Sequence, residues 1–217
     1  MENTSSKIMS KVFLWMFIGL AVTFVTGRLI ANNPEAIEEI FTGSKVIILA
    51  IIELVLVIWL SARIQKMSAT SAKILFIIYS FVTGLTFSSI FIVYEIESII
   101  YVFLATSLIM LIFALLGYFT KIDLTKLGTF LFMAIIGILI MGIISIFVNS
   151  ESFSLGIAIA SVVVFIGFIA LDVQKIKKMY EYNMIPEENL AIYGALQLYL
   201  DFINIFIDLL KIFGRDN

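Results

Sequence analysis

The chain has 217 residues, of which 62% are hydrophobic and only 14% are charged, and its formal net charge is -2. A soluble domain is about half apolar and about a quarter charged, so this composition indicates a protein that lies in a lipid bilayer. The sequence has no cysteine and no histidine, which excludes disulfides, thiol chemistry and the usual histidine pH switch or metal ligand. Any response to pH must therefore come from carboxylates or lysines.

Seven segments are long and apolar enough to cross a membrane, which takes about 20 mostly apolar residues. Short polar connections separate these segments, and neither a linker nor an internal repeat divides the chain. The sequence therefore predicts one all-α transmembrane domain over residues 1–217. The predicted helices cover residues 12–31, 46–62, 74–94, 99–119, 127–148, 154–171 and 190–213.

Positive charge is concentrated in the connections on one side of this predicted domain. By the positive-inside rule that side is the cytoplasm, so the N-terminus is predicted inside and, after seven crossings, the C-terminus outside. If the last helix re-entered the membrane instead of crossing it, the C-terminus would be inside. No eukaryotic targeting motif is present, which favours a bacterial plasma membrane. The residues that set the orientation are Lys7, Lys11, Arg63, Lys66, Lys73, Lys121, Lys126, Lys175, Lys177 and Lys178.

Four acidic residues fall within or at the ends of the predicted helices: Glu53, Asp172, Asp201 and Asp208. An ionised side chain in hydrocarbon costs at least about 2.5–3.5 kcal/mol on insertion scales, and such groups usually mark pathways or paired sites. For Glu53 the plainer interpretation is a hydrogen bond to a neighbouring serine or threonine. Its functional interpretation is a carboxylate that lines an ion path or that pairs with Lys211 or Arg28.

The last helix carries a polar stripe whose members recur at intervals of three and four residues. This spacing places them on one face of a helix, and a stripe of this length cannot face lipid. It either makes hydrogen bonds to other helices or lines a pathway, and the repeated acids favour a path that includes Asn204, Asp208 and Lys211. The polar stripe consists of Gly194, Gln197, Asp201, Asn204, Asp208, Lys211 and Arg215.

Asp172 and Asp201 lie on successive antiparallel helices, and the midpoint between them falls at residues 186–187 in the connecting loop. A hairpin centred there would bring the two side chains to a similar depth. Two neighbouring carboxylates cannot both ionise cheaply, so such a pair titrates as a unit and can sense pH without histidine. Taken alone, Asp172 could instead be an interfacial acid that pairs with Lys175.

Several segments resemble the transmembrane Bax inhibitor motif family. The most specific match is in the last helix, at residues 198–206 and 209–214, with further likeness at residues 170–176 and 81–86. Glu53 falls where the family often has a glutamate in the second helix. The resemblance covers nearly the whole chain, and it implies a bundle of six helices around a central seventh.

The resemblance also implies a function, because bacterial members of this family are similar to pH-sensitive calcium leak channels. The family's aspartate pair on helices six and seven matches Asp172 and Asp201, which would sense protons, gate the path and contact calcium transiently. A second-helix arginine that latches the closed state matches Arg63, whose plainer interpretation is a positive-inside anchor. Related members carry arginine where this chain has Lys211 and a neutral residue where it has Asp208, so the outer gate is expected to differ.

The resulting hypothesis is a channel that conducts calcium, responds to protons and needs no cofactor. At higher pH the aspartates would share a proton or pair with Arg63, and the cytoplasmic end would stay shut. The alternatives are a non-conducting membrane regulator that acts through protein partners, or a proton/cation antiporter.

An intramembrane aspartyl protease is a further alternative, since it also places two aspartates on helices six and seven. Its Tyr-Asp, Gly-x-Gly-Asp and Pro-Ala-Leu signatures are absent from this sequence. We therefore expect no enzymatic activity, and we expect no nucleic-acid partner. The sequence leaves the oligomeric state open and is compatible with a monomer.

Overall fold

A computed structural model describes residues 2–148 and 150–217, with side chains from Ser5 onward. Seven helical segments in these ranges are long and apolar enough to span a membrane, and α4 and α5 together form the third of them. The prediction of an all-α membrane protein with seven spans is therefore confirmed. The described helices are α1 (Glu2–Ala31), α2 (Pro34–Phe41), α3 (Lys45–Arg63), α4 (Ala69–Phe87), α5 (Ile90–Val93), α6 (Ile96–Phe119), α7 (Thr125–Val148), α8 (Glu151–Glu181) and α9 (Glu187–Phe213).

Several helix ends differ from the predicted ones because the helices continue beyond their apolar segments. α8 runs through the lysine-rich residues to Glu181, which leaves only residues 182–186 as the loop before α9. The short helix α2 was not predicted, because its polar and apolar residues alternate over only two turns. The Asn33 side chain caps α2 by accepting the Ala36 N–H at 3.2 Å, and Pro34 occupies the first turn, where a missing N–H costs no hydrogen bond.

The described chain packs as two compact units. The first unit contains Met1–Tyr94, Met179–Tyr199 and Asn217. In it α1 packs closely against α4. A Cβ on Gly19 would come within 2.6 Å of the Phe76 ring, and one on Gly84 within 2.6 Å of Thr26. Small residues on these helices are thus packing surfaces that let two backbones approach each other.

The second unit contains Glu95–Lys178 and Leu200–Asp216. Its aromatic core includes the Phe103 ring, whose centroid lies 5.3 Å from that of Phe202 in an edge-on arrangement. The expectation of a single transmembrane domain over the whole chain stays a prediction.

The last span, α9, is the most deeply buried of the seven. In its most apolar window 78% of the residues are buried, compared with 6% to 39% in the other six spans. This burial is what a helix at the centre of a bundle requires, and it agrees with the expectation for the seventh helix.

The C-terminal tail lies beside the connection between the third and fourth spans. In the first unit the Asn217 N–H donates to the Val93 carbonyl at 2.9 Å, and in the second the Glu95 N–H donates to the Arg215 carbonyl at 2.9 Å. Both ends of the last four spans therefore lie on the same side of the membrane, as four complete crossings require. With 27 residues, α9 is about 40 Å long and can cross the hydrocarbon core. This geometry favours a full crossing over re-entry.

Candidate functional site

The second unit brings the two predicted aspartates together. Asp172 on α8 and Asp201 on α9 are only 8% and 4% exposed, and their carboxyl groups lie close enough to interact electrostatically. Lys175, one turn further along α8, also acts on Asp172. Asp172 is therefore both the neighbour of Lys175 and a partner of Asp201.

The Asp201 carboxyl has an unsatisfied oxygen. Its Oδ2 is buried and makes no hydrogen bond within the described part of the chain. A buried carboxyl oxygen without a donor is costly, and it is suited to a proton or a cation as its partner. No group of three or more acidic side chains that could hold a metal ion converges in the described residues.

The outer half of the polar stripe is more accessible than Asp201. Asn204 and Asp208 are half-buried and Lys211 is exposed, whereas Phe206 on another face of α9 is fully buried. Lys211 acts electrostatically on Asp208 from one turn away, and the buried Ser161 hydroxyl on α8 faces the same carboxyl. This end of the polar stripe thus carries an acidic side chain, Asp208, next to a basic one, Lys211.

The amide of Asn204 is engaged within its own helix. Its Nδ2 donates to the Leu200 carbonyl at 2.7 Å. Ser161 was not singled out from the sequence, since an isolated serine in an apolar helix carries no periodic signal.

Gln174, two residues after Asp172, anchors the loop between α6 and α7. Its side-chain oxygen accepts the Leu124 N–H at 2.9 Å, and its Nε2 donates to the Ile122 carbonyl at 2.8 Å. The residue is buried. Gln174 thus joins α8, near Asp172, to this loop, a link that sequence reasoning did not find.

Glu53 belongs to the first unit, in the middle of α3. Its carboxylate accepts a hydrogen bond from the Thr86 hydroxyl on α4 at 3.2 Å, and the Thr83 hydroxyl lies within interaction distance. The plainer interpretation, a hydrogen bond to a neighbouring threonine, is confirmed. Its place in an ion path stays a prediction.

A second buried polar contact in the first unit joins α1 to α9. The hydroxyls of Thr23 and Tyr199 lie 2.6 Å apart, and Thr23 also donates to the Ser80 carbonyl at 2.9 Å. All three residues are buried. Hydroxyl groups thus satisfy one another inside the membrane, where water could not.

Arg63 is the last residue of α3 and its side chain is exposed. The segment after it is fixed by Asn189 in the first unit, whose Nδ2 donates to the carbonyls of Ile64 and Met67 at 2.7 and 2.9 Å. Asn189 was not identified from the sequence, because only the folded chain shows that it caps the end of α3. The role of Arg63 as a latch stays a prediction.

Comparison with known proteins identifies relatives of this chain. Residues 5–217 match the family described as Inhibitor of apoptosis-promoting Bax1. The chain is 44% identical to the inner membrane protein YbhL of Escherichia coli K12, over 95% of this chain and 91% of the relative. It is also 37% identical to an uncharacterized protein of Borreliella burgdorferi, over 97% of this chain and 92% of the relative.

Proposed function

Because the chain belongs to the Bax inhibitor family, as a multi-pass protein of the bacterial plasma membrane, we propose that it is a pH-regulated calcium leak channel. The observation that carries this proposal is the pair formed by Asp172 and Asp201 in the second unit. Both carboxyls are buried and interact with each other, and Oδ2 of Asp201 makes no hydrogen bond in the described residues.

The chemistry of this pair links proton binding to gating. Two buried carboxyls that lie close together bind a shared proton more readily than two isolated carboxyls do, because ionising both would place two negative charges side by side. When that proton leaves, the charge on Asp172 and Asp201 must be compensated by a cation, either a side chain or a passing ion. Arg63 is the proposed side-chain partner in the closed state, and calcium is the proposed ion in the open state.

The accessible outer half of the polar stripe supports the proposed path. The carboxyl of Asp208 and the side-chain oxygen of Asn204 offer oxygen ligands, which calcium prefers. Lys211 adds a positive charge beside Asp208, so this end of the path would hold calcium more weakly than two unopposed acids. Glu53 is proposed as a further acid of the path.

The decisive experiment is calcium flux into proteoliposomes at several pH values. We expect calcium flux through the unaltered protein to vary with pH, and we expect Asp172→Asn and Asp201→Asn each to remove most of that variation. The matched control is Asp216→Asn, which neutralises an exposed carboxylate of the tail and should leave the pH response intact. If both asparagine variants of the pair keep the flux and the pH response of the unaltered protein, the proposal is wrong.

The same assay separates this function from its rivals. Calcium flux that requires opposite proton movement would indicate an antiporter rather than a leak. Absence of flux at every pH, with correctly inserted protein, would indicate a non-conducting regulator.

A further inference from the structure

A short segment after α9 is joined by hydrogen bonds to the start of α6. In the second unit the Arg215 carbonyl accepts the Glu95 N–H at 2.9 Å, and the Arg215 N–H donates to the Ser98 hydroxyl oxygen at 3.1 Å. Both backbone polar groups of Arg215 are therefore bonded to the residues that open α6. We call residues 215–217 the tail strap.

Asn217 bonds the tail strap to the same connection in the first unit. Its N–H donates to the Val93 carbonyl at 2.9 Å, and its side-chain Nδ2 donates to the carbonyls of Ile92 and Tyr94, each at 3.0 Å. Residue 217 thus pairs with residue 93, and residue 215 with residue 95, which is the order of an antiparallel pairing. These five hydrogen bonds attach the tail strap to the connection before α6.

The tail strap is attached by polar contacts that water can replace. Its residues are Arg215, Asp216 and Asn217, of which none is apolar and all are exposed. A hydrogen bond that exchanges with water contributes little net stability. Segments with exposed hydrogen bonds and few buried apolar contacts open at a small fraction of the global unfolding free energy. The tail strap can therefore detach while the spans stay folded.

The tail strap follows directly on the accessible end of the polar stripe. α9 ends at Phe213, and the Gly214 N–H still donates to the Leu210 carbonyl at 2.7 Å. The tail strap therefore begins just beyond Lys211, and while attached it fixes the end of α9 beside the start of α6. It also holds a second basic residue, Arg215, at this end of the stripe, where positive charge opposes the entry of a divalent cation.

We propose that the tail strap holds the outer end of α9 to α6 and detaches, and that its release opens the outer end of the ion path. The second part rests on the proposed function, whereas the first concerns only the tail strap and α6. In the attached state the end of α9 cannot move away from α6, so the entrance beside Asp208 and Lys211 stays closed. Once water replaces the five hydrogen bonds, the end of α9 and Arg215 can both move aside.

A disulfide tests whether release is needed for conduction. Residues 95 and 215 lie opposite each other in the antiparallel pairing, where a Cα separation of about 5.5 Å suits a disulfide. The sequence has no cysteine of its own, and Glu95→Cys with Arg215→Cys removes one acid and one base. We expect a mild oxidant to lower calcium flux into proteoliposomes roughly tenfold, because the lock removes the open state from the ensemble, and a reductant to restore it. The controls are the two single-cysteine variants under the same oxidant.

Thiol labelling tests detachment without any flux. Ser98 is only 9% exposed and accepts the Arg215 N–H, so Ser98→Cys should react slowly with a water-soluble maleimide. We expect Asn217→Ala, which removes two of the five hydrogen bonds, to raise this labelling rate several-fold and to raise calcium flux. The matched control is Asp216→Ala, which removes an exposed side chain of the tail strap, keeps its backbone hydrogen bonds and should change neither quantity.

The two readouts separate this proposal from the proposed function. If the unaltered protein conducts no calcium at any pH, the proposed function and the gating role fall together, and labelling alone decides whether the tail strap detaches. Detachment is overturned if Asn217→Ala labels Ser98→Cys no faster than Asp216→Ala does, and the described attachment is overturned if no disulfide forms between residues 95 and 215. The gating role is overturned if the oxidised and reduced forms of the double-cysteine variant conduct calcium equally.

Discussion

Gly117 on α6 lies directly against the backbone of Ala170 on α8, within the second unit. A Cβ at position 117 would lie 2.3 Å from the Ala170 carbonyl oxygen and 2.7 Å from its Cα. Real Cβ atoms do not approach a backbone so closely, so even alanine at this position would force the helices apart. Because Ala170 is two residues before Asp172, the spacing of α6 and α8 also affects the aspartate pair.

We therefore predict that Gly117→Ala destabilises the protein by about 1–3 kcal/mol, the usual cost of an overpacked core. The measurement is the unfolding free energy in detergent. Gly137→Ala on α7 is the matched control, since no atom of the described residues lies within 4 Å of its added Cβ. Equal stability of the two variants would show that α6 and α8 are not as close as described.

The seven spans could be predicted because a bilayer demands about 20 apolar residues from each helix, a requirement that composition alone reveals. The proximity of Asp172 and Asp201 followed from hairpin symmetry about the loop. What hydropathy could not show is where a helix ends once it leaves the apolar region, since the residues after 171 are polar and still helical.

Contacts between distant residues were likewise beyond sequence reasoning. Ser161 faces Asp208 and Asn189 caps α3 only because tertiary packing brings them there. Neither residue belongs to a periodic pattern, and either would be unremarkable on an isolated helix. Spacing likewise cannot reveal that the buried Thr83 hydroxyl makes no direct hydrogen bond among the described residues.

A second prediction concerns Asp123, in the loop before α7. The hydrogen bond from Lys178 Nζ to Asp123 Oδ1, at 2.6 Å, is the main reason that the pKa of Asp123 is lowered in the folded protein, with Thr125 as a further donor. A lowered pKa means that the ionised form stabilises the fold. The contribution is present above the ordinary aspartate pKa of about 4 and is lost as the pH falls through the lowered folded-state value.

We expect Asp123→Asn to lower the melting temperature slightly at pH 7, and we expect this difference to shrink as the pH falls below about 4. Both side chains are partly exposed, so salt should reduce the effect by screening. In a Lys178→Gln background the substitution should have a smaller effect at every pH. A difference between Asp123→Asn and the unaltered protein that grows in acid would contradict the assignment of the ion pair.

The last prediction concerns Asn189, whose amide holds the segment after α3 to the first turn of α9. Both hydrogens of its Nδ2 are used, by the Ile64 and Met67 carbonyls, and the residue is only 4% exposed. Asn189→Leu keeps a similar volume but leaves two carbonyls without this donor, and we expect a loss of about 1–3 kcal/mol in unfolding free energy. The neighbouring Glu188 pairs with Lys73 at 2.7 Å with its side chain 60% exposed.

Glu188→Gln should destabilise the protein much less than Asn189→Leu, because exposed ion pairs contribute little. The two substitutions alter adjacent residues of one helical turn, so their comparison in the same denaturant titration isolates the buried amide from the surface charge. If Glu188→Gln proves the more destabilising of the two, surface charge rather than the Asn189 amide holds this end of α9 in place.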